Sequence, residues 1–177
     1  MLRYMNKRLK LNTFEKLSHY WPATMFAGLM LWSIYLMLST ADRNKLPRAC
    51  YIFCFCASLS AIFYIIQKRR LQYIAVKTTL TPTEVSKIVH FFEQNKGWKR
   101  KRKTSDIYIA TIDGGILKGS WGERITIEQH KDTLYISSIC DPEKPSSLTS
   151  WGRNKKHINA FKHQVALHEK AKAAQQI

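Results

Sequence analysis

A short polar motif near the C-terminus contains the residue types with the clearest chemical potential. It reads Arg153-Asn154-Lys155-Lys156-His157, and its arginine and histidine are four positions apart, so a helix would place both side chains on one face. A histidine can act as a general acid or base, and an arginine can stabilise the charged phosphorane of RNA cleavage. The motif is therefore compatible with a ribonuclease site. The simpler interpretation is a solvated or interface Arg–His pair near the start of a helix.

No other arrangement of side chains in the sequence points to catalysis or to metal binding. The four cysteines form no CxxC pair and combine with no histidine at metal-ligand spacing. The sequence also shows no Ser/His/Asp set, no glycine-rich phosphate loop and no telling carboxylate pair. We therefore expect no metal, no cofactor and no enzymatic activity.

A run of five consecutive basic residues is the second candidate site: Lys99, Arg100, Lys101, Arg102 and Lys103. Such a run can bind nucleic-acid phosphates or anionic lipid head groups. No aromatic residues interleave with it, so stacking on single-stranded bases is not indicated. A solvated loop is the plain alternative.

Both candidate sites fall in a basic C-terminal region, residues 68–177, which has 21 Lys+Arg against 10 Asp+Glu. Thr81-Pro82-Thr83-Glu84 is a capping-box start for a helix that Gly97 can end. Three β-like runs follow at 107–112, 124–128 and 133–137, and helical spacing returns at about 154–175. The sequence predicts a small α+β domain: a helix, a three-stranded antiparallel meander and a helix.

The first third of the chain has a different composition, with two long stretches that contain no charged residue. Residues 20–39 and 50–67 are the predicted transmembrane helices, since about 20 apolar residues cross a bilayer. With a short external loop at 40–49, they predict a helical hairpin. The alternatives are a cleaved signal peptide for the first stretch and a buried core helix for the second.

Positive residues flank the two stretches and predict the orientation of the hairpin. Basic residues are concentrated in segment 1–19 and immediately after the second stretch, which favours both termini in the cytoplasm. The N-terminal segment mixes apolar residues with lysines, so we expect it to lie on the inner leaflet as an amphipathic helix.

The spans contain no Asp, Glu, Lys or Arg, which argues against an ion-coupled carrier. Small residues in the first span permit close helix packing in lipid: Ala23, Ala27, Gly28 and Ser33. Two spans do not enclose a water path, so conduction would require several copies. A plain membrane anchor is the alternative.

In overall size, N-terminal membrane region and the motif from Arg153 to His157, the chain resembles the small accessory membrane protein of type VI-B CRISPR–Cas systems, described with a divergent HEPN motif. The resemblance implies a bacterial inner-membrane protein that strengthens antiviral defence run by an RNA-guided RNase. It also implies a ring-like homo-oligomeric pore, with the lipid bilayer, further copies of the chain, and RNA or the RNase as partners.

The chain departs from the HEPN pattern in two respects. His157 comes one residue earlier than the usual HEPN spacing, and HEPN folds are all-helical whereas this domain is predicted to contain strands. We therefore expect the membrane role to hold rather than RNA cleavage by Arg153 and His157. Three functions remain open: a pore-forming effector, a membrane-tethered scaffold that binds RNA or protein without conduction, and a membrane-bound HEPN-like RNase.

Overall fold

The computed structural model describes residues 7–39, 46–115, 120–144 and 152–175. It divides into two compact units. One is a helical hairpin, Leu11–Arg70, and the other combines Met1–Lys10 with Leu71–Ile177. We call the second unit the basic domain. The loop predicted at 40–49 lies largely outside the described residues.

The hairpin consists of α1, Thr13–Ser39, and α2, Leu46–Arg70. Both helices are long and apolar enough to cross a membrane. Each extends beyond the charge-free stretch that predicted it. At the start of α1, Asn12 and Glu15 cap reciprocally: each backbone N–H donates to the other's side chain, at 2.9 and 2.8 Å. The last turn of α2 contains Lys68, Arg69 and Arg70, cations that suit a helix C-terminus.

Aromatic and small side chains pack the two helices together. The rings of Phe26 and Phe63 stack with their centroids 5.5 Å apart. The Ser60 hydroxyl donates to the Ala23 carbonyl at 3.0 Å, and both Ala23 and Ser33 are buried. Small residues of α1 thus permit close contact with α2, as packing in lipid requires.

Most of the hairpin surface is apolar and uncovered. Within the most apolar windows of α1 and α2, only 17% and 11% of residues are buried, far below what the core helix of a soluble protein would show. Large exposed side chains occur on both helices, among them Leu31, Trp32, Tyr35, Leu38, Tyr51 and Phe55. A surface of this kind needs lipid or another protein to cover it.

In the basic domain, the helix predicted from the capping box is α3, Pro82–Lys96. Thr81 and Glu84 form the complete capping box, and Gly97 ends the helix at φ 68°. That left-handed backbone conformation favours glycine, because a side chain there is strained. The last helix, α4, runs over Arg153–Ala174.

The sheet has five antiparallel strands, so the expectation of three is wrong. The strands are β1 Ile74–Lys77, β2 Lys99–Lys103, β3 Ile107–Gly115, β4 Ser120–His130 and β5 Thr133–Cys140, in the order β1-β5-β4-β3-β2. The three central strands are the predicted meander. The two edge strands were missed because β1 has four residues and β2 is entirely basic, so neither shows an apolar alternation.

The core lies between one face of the sheet and the two helices. Phe92 of α3, Phe161 of α4 and Trp98 pack ring against ring, with centroids 4.6 to 6.0 Å apart. Isoleucines and a leucine from the central strands complete the cluster: Ile112, Ile125, Ile127, Leu134 and Ile136. Packing in this core holds α3 and α4 against the sheet. It thereby positions the two candidate sites, the Arg153–His157 motif and the basic run.

Residues 7–10 lie outside any helix, although an amphipathic helix was expected in the N-terminal segment, whose residues 1–6 lie outside the described part of the chain. Leu9 donates its backbone N–H to Leu71 at 2.8 Å, and Tyr73 donates to Lys7 at 3.1 Å. The Lys7 ammonium pairs with Glu128 and lies 5.4 and 5.0 Å from the ring centroids of Tyr73 and Tyr135. The chain therefore enters and leaves the hairpin through one short two-stranded ribbon.

Candidate functional site

Arg153 and His157 meet on one face of α4, as their spacing predicts, and both contact the same carboxylate. Glu123 of β4 forms an ion pair with Arg153, whose Nε lies 3.1 Å from one carboxylate oxygen, and the other oxygen lies 3.0 Å from His157 Nε2. The Glu123 side chain is fully buried, and those of Arg153 and His157 are 23% and 19% exposed. We call these three residues the Glu123 cluster.

Asn154 extends the polar contact between α4 and the sheet. Its side-chain oxygen accepts from the Ser138 hydroxyl of β5 at 3.3 Å, and both residues are buried. Ser138 stands opposite Ile125 in the ladder, two residues along β4 from Glu123. Arg153, Asn154 and His157 of the predicted motif therefore face the sheet of their own protomer.

The chemistry available at the Glu123 cluster is limited by its burial. An RNase pair must present both side chains to a phosphodiester, whereas here Arg153 and His157 are directed at a carboxylate with no exposed surface. A buried charge is stable only when it is paired and hydrogen-bonded. The geometry suits a structural role, in which the polar contacts of the Glu123 cluster hold the first turns of α4 against β4.

Glu123 is the residue that sequence reasoning missed. It lies 30 positions before Arg153, and no local pattern connects the two. One signal was present: Glu123 begins an alternation with Ile125 and Ile127, which places its carboxylate on the core face of β4. A carboxylate on a core face requires a partner, and the Arg153–His157 pair, which shares one helix face, is one candidate in the sequence.

The basic run forms the edge strand β2 rather than a loop, and all five side chains are exposed. Among the described strands, its one ladder partner is β3, and the register shifts between Arg100 and Arg102. A strand edge lined with charges discourages pairing with other chains. The position of the run thus has a structural explanation.

Arg100 is the most strongly held residue of the run. Its guanidinium donates two hydrogen bonds of 2.7 Å to Glu93 of α3, and the Tyr108 hydroxyl donates to the same carboxylate at 2.7 Å. The bonds from Arg100, and then those from Tyr108 and His90, lower the pKa of Glu93 to about 2. Burial, followed by the bond to Glu93, raises the pKa of Tyr108 above its usual range.

The lysines of the run are also engaged. Lys99 pairs with Asp113, Lys101 pairs with Glu143, and Lys103 donates to the Ser86 hydroxyl at 2.7 Å. Hydrogen bonds from Lys99 and then Lys144 lower the pKa of Asp113 to about 2. Much of the charge that suggested a phosphate-binding run is therefore neutralised within the domain.

The four small residues of α1 do not share one environment. Ala23 and Ser33 are buried within the hairpin, and Ala27 is half-buried. Gly28 is exposed, and a methyl group added there would meet no atom within 4 Å. Ala23 and Ser33 therefore pack inside the hairpin, whereas Gly28 lies on its exposed surface.

Within the described residues, no three His, Cys, Asp or Glu side chains are grouped as a metal site would require. None of the four cysteines forms a disulfide. No family model, curated protein or solved structure matches this chain.

Proposed function

We propose that this protein is a membrane-embedded effector whose hairpin assembles with further copies into a homo-oligomeric pore. The observation that carries the proposal is the apolar surface around α1 and α2, little of which is covered within one chain. Lipid covers part of such a surface. Contact with neighbouring hairpins is favoured at positions with small side chains, because close packing drives helix association in lipid.

Gly28 supports assembly through α1. It has open space over its Cα, so a neighbouring helix can approach closely there without displacing any side chain of the same chain. Ala27, half-buried beside it, widens the small surface. The proposed contact between copies is therefore centred on Gly28, while Ala23 and Ser33 hold the hairpin itself.

The ribbon at residues 7–10 and 71–73 supports the proposed orientation. Both connections to the hairpin are hydrogen-bonded to each other within the basic domain, and this contact supports placing them on the same side of a membrane. Lys68, Arg69 and Arg70 at the end of α2 favour the cytoplasm for that side. We place the protein in a bacterial inner membrane with both termini cytoplasmic.

The proposal includes no enzymatic step. Arg153 and His157 are held by Glu123 in the same chain, so an RNase role would first require that buried contact to open. The resemblance to the type VI-B accessory protein adds a setting: we propose that the pore perturbs the membrane when an RNA-guided RNase system is triggered. A scaffold that binds RNA or protein without conduction is the second candidate, and the basic surface of the domain favours it.

The test replaces Gly28 with leucine. The added side chain fits the single hairpin but blocks close approach of a second helix, so we expect smaller assemblies and loss of conductance. Purified protein is compared with wild type by mass measurement in detergent and by dye release from liposomes. Leu31→Ile is the matched control, because Leu31 is already large and exposed and its substitution leaves the surface bulk unchanged.

If the Gly28→Leu protein forms assemblies of wild-type mass and releases dye at the wild-type rate, assembly through this surface is wrong. If wild-type protein is a monomer that leaves liposomes sealed, the pore itself is wrong. In that case the scaffold becomes the better proposal.

A further inference from the structure

The outer face of α4 has a second and separate concentration of positive charge. Five exposed residues form it: Lys155 and Lys162 on the flank of the helix, and Lys156, His163 and Lys170 on the side opposite its buried residues. We call these five residues the α4 basic face. Lys155 and Lys170 are 15 positions apart, so the face is about 22 Å long at 1.5 Å per residue.

The charge of the α4 basic face is not compensated within the described part of the chain. None of its four lysines has a carboxylate within ion-pairing distance there. Glu169 is the one acidic residue of α4, and it accepts a hydrogen bond from the Thr79 backbone at 3.0 Å. Lys172, which does have a partner, lies on the other side of the helix and pairs with Glu84. The lysines of the α4 basic face therefore differ from the basic residues of β2, three of which pair with carboxylates.

We infer that the α4 basic face binds RNA through its phosphates. Lysines that neutralise phosphates release condensed counterions, and this release supplies sequence-independent affinity. The face contains no Phe, Tyr or Trp on which bases could stack, so binding mainly through the RNA backbone is expected. This inference does not depend on the pore.

Anionic lipid is the main competing partner, and the apolar residues of α4 argue against it. A helix that lies on a membrane presents an apolar face to the lipid beside its basic face. The apolar residues of α4, Ile158, Phe161 and Val165, are buried in the core of the domain. Leu167 is the one large apolar side chain on the exposed side.

The test measures binding of a fluorescent 20-nucleotide RNA to full-length protein in nanodiscs of zwitterionic lipid. The variant carries Lys155→Gln, Lys162→Gln and Lys170→Gln. We expect at least a tenfold loss of affinity at low salt. The slope of log affinity against log salt should fall by about 2, since each lost phosphate contact removes about 0.7. Thermal unfolding should match wild type, because all three side chains are exposed.

The matched control replaces three lysines of β2, with Lys99→Gln, Lys101→Gln and Lys103→Gln. It removes the same formal charge from positions that are already engaged by Asp113, Glu143 and Ser86. We expect less than a threefold change in affinity and an unchanged salt slope. Equal losses in the two triple variants would overturn the proposal, since net charge rather than the α4 basic face would then explain binding.

Two other results would also overturn it. The first is wild-type affinity in the α4 variant. The second is a wild-type protein that does not bind RNA and whose cleavage by trypsin after Lys155 and Lys162 depends on lipid. In that case, cleavage would be suppressed only in nanodiscs that contain phosphatidylglycerol. That pattern would identify anionic lipid as the partner.

Discussion

Two carboxylates each join a helix of the basic domain to its sheet, but they differ in their access to water. Glu123 lies on β4, is fully buried and contacts Arg153 and His157 of α4. Glu93 lies on α3, is 13% exposed and contacts Arg100 at the sheet edge. A buried carboxylate that loses its partner has no water to replace it, whereas one near the surface can be rehydrated. Similar ion-pair geometry therefore implies unequal contributions to stability.

The largest effect is expected from Arg153→Ala. Removing one partner of a buried ion pair costs about 3 kcal/mol, and here Glu123 would keep His157 as its one remaining contact in the cluster. For a domain of this size, that corresponds to a loss of about 10 °C in Tm. Thermal unfolding of the full-length protein in detergent measures it. If Arg153 served RNA cleavage alone, the variant would unfold at the wild-type temperature.

The double variant Arg153→Ala with Glu123→Gln sharpens this comparison. The amide removes the buried charge that Arg153→Ala leaves behind, so the double variant should be more stable than the sum of the two single losses predicts. Strict additivity would mean that Glu123 and Arg153 do not interact. Lys155→Ala, on the exposed side of the same helix, is the control and should leave Tm unchanged within about 1 °C.

An intermediate and pH-dependent effect is expected from Glu93→Gln. The pKa of Glu93 is lowered to about 2 from an ordinary value of 4.5, first of all by the bonds from Arg100. Its contribution is therefore complete above about pH 4.5 and is lost as the pH falls through 2. We expect Tm to drop by about 4 °C at pH 7, since a charge-assisted bond near the surface contributes about 1 kcal/mol.

The difference in Tm between wild type and Glu93→Gln should narrow steadily from pH 4.5 towards pH 2. A difference that stays constant over this range would show that the charge of Glu93 is not what stabilises α3 on β2. Asp106→Asn is a suitable control, because Asp106 is exposed and lies in the turn between β2 and β3.

How much of this comparison the sequence could predict depends on the distance between partners along the chain. The Thr81–Glu84 capping box and the Gly97 stop are local patterns, and the structure confirms both. The shared face of Arg153 and His157 is also local and was predicted correctly. The pairing of Glu123 with them depends on how α4 docks on the sheet, which no short spacing encodes.

The edge strands show the same limit in another form. Apolar alternation identified the central strands because one of their faces is buried, whereas β2 has five exposed basic residues and no such signal. Its strand state follows from pairing with β3 and from ion pairs to Glu93, Asp113 and Glu143. A run of five basic residues therefore suggested a binding site, although carboxylates engage three of the five, whereas no described carboxylate pairs with the four lysines of the α4 basic face.

The smallest effect on Tm is expected at a third carboxylate, Glu84. Its side chain is more exposed to water than those of Glu123 and Glu93. Lys172 of α4 donates to Glu84 at 3.0 Å, and both side chains are 31% exposed. The bond from the Thr81 backbone and then that from Lys172 lower the pKa of Glu84 to about 2. Because water and salt screen this pair, Lys172→Met should lower Tm by less than about 2 °C.

The Lys172→Met shift should also disappear at high salt. Thr81→Ala is the reference, with a drop of about 4 °C, since loss of an N-cap costs about 1 kcal/mol whatever the salt. If Lys172→Met proved as damaging as Arg153→Ala, exposure would not set the order among these carboxylates. The contacts of α4 would then have to be treated as one cooperative unit rather than as pairs ranked by their access to water.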